Sequence, residues 1–392
     1  MDFNQIKQDE SQYVMQTYGR FPIVFEKGNG CILEDINGKQ YLDLTSGIGV
    51  NCLGHNHPAI VKTISEQASK LMHVSNLYYT TPMIEVAKEL VTSSGLKKMF
   101  FSNSGAEANE GVIKVARKYS YEKYGEGRAN IITLKQSFHG RTMATLTATG
   151  QDKFHNYFFP FMEGFKYATA NDIDDMKKQM DDTVCAVMME IVQGESGVVP
   201  LNKDYVKDVE KLCHEKDILL IIDEVQTGIG RTGSLFAYQQ YDIQPDLISV
   251  AKGIGGGVPM GGFIAGEKCE FTLKPGDHGS TFGGTPLCCA VAKTVLDIVN
   301  TKDFLMDVKN KGEYFMNEIK KIDSTNILGV RGMGLMIGIV VEPEKRAGLV
   351  SKLMDKGLLV LTAGSDAIRL LPPLIITYDQ INDALQIMKE VF

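Results

Sequence analysis

The sequence predicts an α/β protein: a mostly parallel central sheet flanked by helices, with a smaller α+β domain built from both ends of the chain. Three observations predict it. Through the middle of the chain, short apolar runs alternate with amphipathic helical patterns, the mark of βαβ units. Just beyond successive runs the residues turn polar, charged or glycine-rich, as they do where the carboxyl ends of parallel strands face a ligand. The two ends of the chain read differently from the middle, which divides it into residues 1–60 and 289–392 for the smaller domain and 61–288 for the larger.

In chain order, "GCILEDINGKQYLDL" (residues 30–44) reads as a hairpin turning at Asn37 and Gly38, a strong short-range turn signal. "KMFFS" (98–102) is a strand, followed by a helix from about Gly105 to Tyr119. "NIITL" (130–134) and "CAVMMEIV" (185–192) are the next strands. In "DYVKDVEKLCHEKD" (204–217), Val206, Val209, Leu212 and Cys213 recur at helical spacing. "ILLIID" (218–223) and "LISVA" (247–251) complete the series. The C-terminal part mixes helices with "GVRGMGLMIGIVV" (329–341) and "AIRLLPPLII" (367–376).

The strand ends converge. Asn103, Ser104, Gly105 and Ala106 follow the first strand, and Ser137 to Arg141 follow the second. Gln193, Gly194 and Glu195 follow the third, Asp223 ends the fourth, and Lys252 and Gly253 follow the fifth. Such convergence marks a site more firmly than any single motif.

Composition narrows the partners. The 392 residues are 44% hydrophobic and 23% charged, which suits a globular enzyme with more than one domain. A net charge of -7, with no basic tail, argues against nucleic acid or an acidic membrane. No signal peptide or membrane-length apolar run is apparent. Seven cysteines without a C-x-x-C pair fit reduced thiols in the cytoplasm.

Chemistry enters with Lys252, set after an apolar strand and before Gly253, Gly255, Gly256 and Gly257. A poorly solvated lysine is a nucleophile able to form a Schiff base with an aldehyde cofactor; a strand-end lysine reaching for solvent is the plainer alternative. Asp223 needs a partner, because a buried unpaired carboxylate is costly. Opposite the ring nitrogen of pyridoxal phosphate it would find one and keep that nitrogen protonated; capping the next turn is its alternative. Ser104, Gly105 and Ala106 open a helix, where free N–H groups bind phosphate. An ordinary N-cap uses the same donors, so that segment alone does not choose. Phe138 could stack on a pyridine ring or belong to the core.

Three motifs carry less than they suggest. "GIGRTG" (228–233) matches a dinucleotide fingerprint, but Asp223 to Thr227 separate it from its strand. His55 and His57 lack further metal ligands nearby. His139 has no triad partners at readable spacing, so no nucleophile-activating role is assigned to it.

Together "NSGAEANE", "SFHGRT", "VQGESGV", "IIDEVQTGIGRTG", "SVAKGIGGG" and "GSTFGGTPL" resemble the fold-type I, class III aminotransferases that depend on pyridoxal phosphate. The similarity runs from "RFPIVFEKGNG" to "IRLLPPL", and "LDLTSGIGVNCLGHNHP", "SNLYYTTP" and "FHGRT" are most similar to the bacterial acetylornithine branch. The resemblance implies that Lys252 carries the cofactor and Asp223 pairs with its ring nitrogen. It implies that Gln226 contacts the ring hydroxyl, that Phe138 stacks on the ring, and that Ser104, Gly105 and Ala106 hold the phosphate, with Glu224 and Val225 also against the cofactor. Thr281 is implied to reach the cofactor of a neighbouring subunit in a homodimer. Arg141, with Ser280 nearby, is implied to anchor the carboxylate of N-acetylornithine. Arg369 would grip the α-carboxylate of glutamate or 2-oxoglutarate, a bidentate task suited to guanidinium, with Glu195 covering it otherwise. Sister activities on ornithine, 4-aminobutyrate or succinylated amines are the near alternatives, and a nicotinamide dehydrogenase is the distant one. Ala106, Ser196 and Thr285 depart from the residues usual in the class.

Overall fold

A strand that is apolar at every position needs cover on both faces. Val184–Met189 is such a strand, and Leu219–Asp223 is apolar up to its closing Asp223; both are buried throughout. Because side chains alternate along a strand, Leu219 and Ile221 enter one apolar layer with Val112, Ile113 and Val115. Leu220 and Ile222 enter the opposite layer with Val206 and Val209. Helix Gly105–Tyr124 therefore covers one face and helix Lys203–Glu215 the other. The computed structural model describes residues 2–392.

The central sheet has seven strands in the order Lys98–Ser102, Gly261–Ala265, Leu247–Val250, Leu219–Asp223, Val184–Met189, Asn130–Leu134 and Phe165–Ala168. Gly261–Ala265 is antiparallel to both its neighbours, while the five strands from Leu247–Val250 to Phe165–Ala168 pair in parallel. The sheet is thus mostly parallel, as expected. Phe165–Ala168 and Gly261–Ala265 were not anticipated. The run at 185–192 is two strands, Val184–Met189 and Val192–Gln193, and the residue between them that matters is Glu190. Helix Gly105–Tyr124 runs beyond Tyr119 and stops at Gly125, whose positive φ breaks it.

The hairpin forms as expected. Ile32–Asp35 and Gln40–Asp43 pair antiparallel, with Gly38 at a φ of 81°. Asp35 Oδ1 accepts from the N–H groups of Asn37 and Lys39 at 2.8 and 3.0 Å, fixing the turn. Phe25–Asn29 adds a strand on one side. On the other, Leu358–Leu359 from the far end of the chain pairs in parallel with Gln40–Asp43. A second four-stranded sheet is antiparallel, in the order Gly329–Met333, Met336–Val340, Ala367–Leu370 and Leu361–Ala363.

The expected divisions at 60/61 and 288/289 both cut helices, Pro58–Lys70 and Pro286–Val299. These helices lie side by side, with Thr63 Oγ1 and Thr294 Oγ1 2.8 Å apart. A change in composition along a sequence does not mark where a helix ends; caps and packing do.

Candidate active site

The carboxyl ends of the parallel strands deliver their residues to one cavity of about 450 Å³. Its lining includes Ser104, Gly105, Ala106, Phe138, Arg141, Asp223, Val225, Gln226 and Lys252 from the sequence-based set. It also includes Asn109, His139 and Glu190, which sequence reasoning left out.

Asp223 is buried and sits among donors. His139 Nδ1 and Asn109 Nδ2 each lie 2.8 Å from Oδ2, and Val225 N donates to Oδ1 at 2.9 Å. A carboxylate accepts, so the imidazole proton facing it sits on Nδ1. His139 is buried with Nε2 unpartnered, as is Asn109 Oδ1. His139 thus orients a carboxylate, a role that leaves no triad spacing in the sequence. The readable signal was its place next to Phe138 at a strand end, and for Asn109 a polar residue one turn into the helix that opens at Gly105.

Lys252 follows the neighbouring strand with a φ of 49°, a left-handed conformation rare for a residue with a Cβ. Burial pulls its ammonium below the ordinary lysine range; Glu195 opposes this and Arg369 adds to it, with Asp223 and Glu190 opposing more weakly. Those carboxylates act on it through charge, without a hydrogen bond. The amine is therefore biased toward its neutral, nucleophilic form.

At the helix end, Ser104 Oγ accepts from Glu107 N at 3.2 Å as the N-cap. The N–H groups of Gly105 and Ala106 have no acceptor within the helix, and both residues line the cavity. Gly105 is required here: a Cβ would lie 2.7 Å from Val225 Cγ1.

Glu190 is buried at the end of Val184–Met189 and ties two loops together. Its Oε1 accepts from Phe138 N at 2.9 Å and its Oε2 from Gly194 N at 3.3 Å. Burial pushes its carboxyl up to about 7, with Asp223 adding to the effect and His139 opposing it.

The second arginine, Arg369, is covered by a carboxylate. Arg369, buried, pairs through Nη1 with Glu195 Oε1 and donates to Gln226 Oε1 at 3.1 Å and Gly194 O at 3.2 Å. Burial alone would raise Glu195, but the charge and hydrogen bond of Arg369, with help from Lys252, hold it below the ordinary range. Gln226, which lines the cavity, joins this pair to it.

Five expected residues lie outside this lining: Arg369 and Glu195, joined to it through Gln226, and Glu224, Thr281 and Ser280. Glu224 turns away: its oxygens accept from Thr227 Oγ1 and from Tyr238 N, the latter at 2.9 Å. Neighbours along an extended chain face opposite sides, so Asp223 and Glu224 cannot both point inward. Thr281 is exposed and outside the lining. Ser280 is half-buried beside the rim, where its Oγ accepts from Asn103 Nδ2 at 3.1 Å. The decoys resolve as well: "GIGRTG" is a run of turns whose Arg231 donates to Leu335 O at 3.0 Å, and His55 pairs with Asp43 at 2.8 Å.

The donor set suits pyridoxal phosphate. A buried carboxylate stands ready for a protonated ring nitrogen, an amine sits just past the next strand, and free helix N–H groups and an aromatic wall complete the cradle.

Comparison with known proteins agrees. The family model for aminotransferase class III matches residues 13–392. An acetylornithine aminotransferase of Caldanaerobacter subterraneus subsp. tengcongensis is 49% identical over 384 residues, 97% of this chain and 98% of its own. A solved acetylornithine aminotransferase from Elizabethkingia anophelis superposes with a TM-score of 0.89 at 33% identity, covering 100% of this chain and 99% of that one. An ornithine aminotransferase structure from Toxoplasma gondii, described with partial occupancy of PLP at its active site, gives 0.96 at 30% identity, covering 100% and 94%. An amine and a carboxylate set at the ends of adjacent strands of this sheet, in a chain matched over nearly its whole length, make it a member of the class III aminotransferases, enzymes that work with pyridoxal phosphate.

Proposed function

We propose that this enzyme moves the ω-amino group of N-acetylornithine to 2-oxoglutarate, giving N-acetylglutamate semialdehyde and glutamate, a step of arginine biosynthesis. The observation that carries the reading is the pair formed by the buried Arg369 and the half-buried Glu195 beside the cavity. One site must first take an amine with no carboxylate at the reacting carbon, and then a 2-oxo acid that has one. A guanidinium covered by Glu195 avoids a naked buried charge in the first step and is free to grip the carboxylate in the second.

When bound, pyridoxal phosphate supplies the aldehyde and the electron sink that loosen the proton on the amine-bearing carbon, and it stores the amino group between the half-reactions. Lys252 holds the cofactor and then carries that proton on Nζ. Asp223, oriented by His139 and Asn109, keeps a proton on the ring nitrogen. Gly105 and Ala106, with Ser104 capping their helix, would receive the phosphate, Phe138 and Val225 would lie against the ring, and Gln226 would meet its hydroxyl. Arg141 receives the donor's carboxylate, with Ser280 at the rim.

The reading includes a homodimer in which Thr281 reaches the partner's cofactor phosphate. Its support is an exposed apolar surface: Leu77, Tyr78, Tyr79 and Phe282 are 87%, 64%, 98% and 62% exposed. Asn76 Nδ2 donates to Gly283 O at 2.7 Å, which ties that segment to the loop carrying Thr281 and Phe282. We also assign the two ends of the chain, outside helices Pro58–Lys70 and Pro286–Val299, to one smaller domain. A cytoplasmic site of action is supported by seven unpaired cysteines; no helix is long and apolar enough to cross a membrane.

The test is single-turnover absorbance of the purified protein mixed in turn with N-acetylornithine, ornithine and 4-aminobutyrate. The fastest loss of the cofactor band is expected with N-acetylornithine, restored by 2-oxoglutarate. A faster response to ornithine would move the substrate assignment to the activity named for the Toxoplasma neighbour.

A further inference from the structure

Two arginines serve this cavity in opposite ways. Arg369 is buried and covered by a carboxylate. Arg141 is exposed at the mouth, and among the described residues it has neither an ion-pair partner nor a hydrogen-bond acceptor. What holds it is aromatic. Its Cζ lies 4.0 Å from the centroid of Phe154 and 5.6 Å from that of Phe138. The two rings meet edge to face, with centroids 6.1 Å apart at 72°. Phe154 is half-buried and is not part of the cavity lining. Lys153 Nζ stands 4.8 Å from the same ring, so a second cation shares the platform and no carboxylate neutralises the first.

A ring face attracts a cation without cancelling its charge or using its N–H donors. A carboxylate would do both, as Glu195 does to Arg369. We propose that Phe154 is a positioning residue for donor recognition: it holds the Arg141 guanidinium at the cavity mouth, oriented and uncompensated, for the carboxylate of the incoming amine. This rests on the reading that Arg141 binds the donor carboxylate. The amine donor then meets an arginine that is always open, and the oxo acid meets one that must be uncovered. Phe154 serves only the first of these encounters, so it sets selectivity for amines that carry a carboxylate remote from the reacting nitrogen.

The experiment compares wild type, F154L, F154Y and R141A as holoenzymes. Substrates are N-acetylornithine and N-acetylputrescine, the same chain without the carboxylate. In F154L, KM for N-acetylornithine is expected to rise about threefold to tenfold, the scale of one cation–π contact. kcat, KM for 2-oxoglutarate and kcat/KM for N-acetylputrescine should hold within about twofold of wild type on that same scale. F154Y, which keeps the ring face, should restore wild-type KM. Where F154L yields no folded protein, F154M, of similar volume and without a ring, takes its place. An unchanged KM for N-acetylornithine in F154L, alongside a raised one in R141A, would overturn the role of Phe154 alone. An unchanged KM in R141A would remove the donor-carboxylate reading and this proposal with it. An equal rise in both KM values in F154L would show a general disturbance of the cavity and would also overturn it.

Discussion

Lys252→Ala removes the one lysine lining the cavity among the described residues, and turnover should vanish; steady-state rates equal to wild type would defeat the assignment. A second residue-scale prediction concerns stability. Burial pushes the Glu224 carboxyl up to about 7, opposed by hydrogen bonds from Thr227, Tyr238 and Ala237. The ordinary value is 4.5, so the folded state holds this proton more tightly than the unfolded one. That contribution to stability is full below 4.5 and is lost as pH rises through about 7. Glu224→Gln should therefore narrow the fall in Tm between acid and alkaline pH relative to wild type. Parallel Tm–pH curves for the two proteins would refute it. Of the site itself, Lys252 and Asp223 were legible because a charge at the end of an apolar run is conspicuous, whereas Arg369, inside the strand Ala367–Leu370, was named only through the family resemblance. His139, Asn109 and Glu190 were not legible, because each does its work on another residue across the sheet, and such contacts leave no spacing in the sequence.

Helix Gly105–Tyr124 shows how an element is held to the sheet. A Cβ at Gly111 would lie 2.3 Å from Phe263 Cε1. The Phe263 ring is buried and stacked on Phe100 with centroids 5.3 Å apart, so it has little room to move. Gly111→Ala gains helix propensity of about 1 kcal/mol, while overpacking costs about 1–3 kcal/mol. The second effect should win, and calorimetry should record a lower Tm; a higher one would mean the ring yields freely. The strand carrying Phe263 was invisible in the sequence because "GGFIA" offers only three apolar residues behind a glycine-rich loop. "FKYA" was hidden by its lysine. The other four parallel strands, of continuous or nearly continuous apolar character, differ: where such a run was present, burial on both faces had written it into the composition.

At the scale of the whole molecule, the exposed surface around Tyr79 predicts the assembly. Wild-type protein should sediment as a dimer at micromolar concentration, and Tyr79→Asp should shift it toward monomer with weaker retention of pyridoxal phosphate. A wild-type monomer would refute the shared site. The union of the two termini was legible only as a difference in texture, since nothing local in "LL" at 358–359 announces its partner. That partner carries a temporal consequence. Leu42 pairs with Leu358, and a ribosome adding about 5–20 residues per second needs about 15–60 s to cover the distance between them. For that interval the edge of Gln40–Asp43 that faces Leu358–Leu359 is bare, a template for any extended chain nearby. The sheet of the hairpin is thus completed only when the chain is nearly finished.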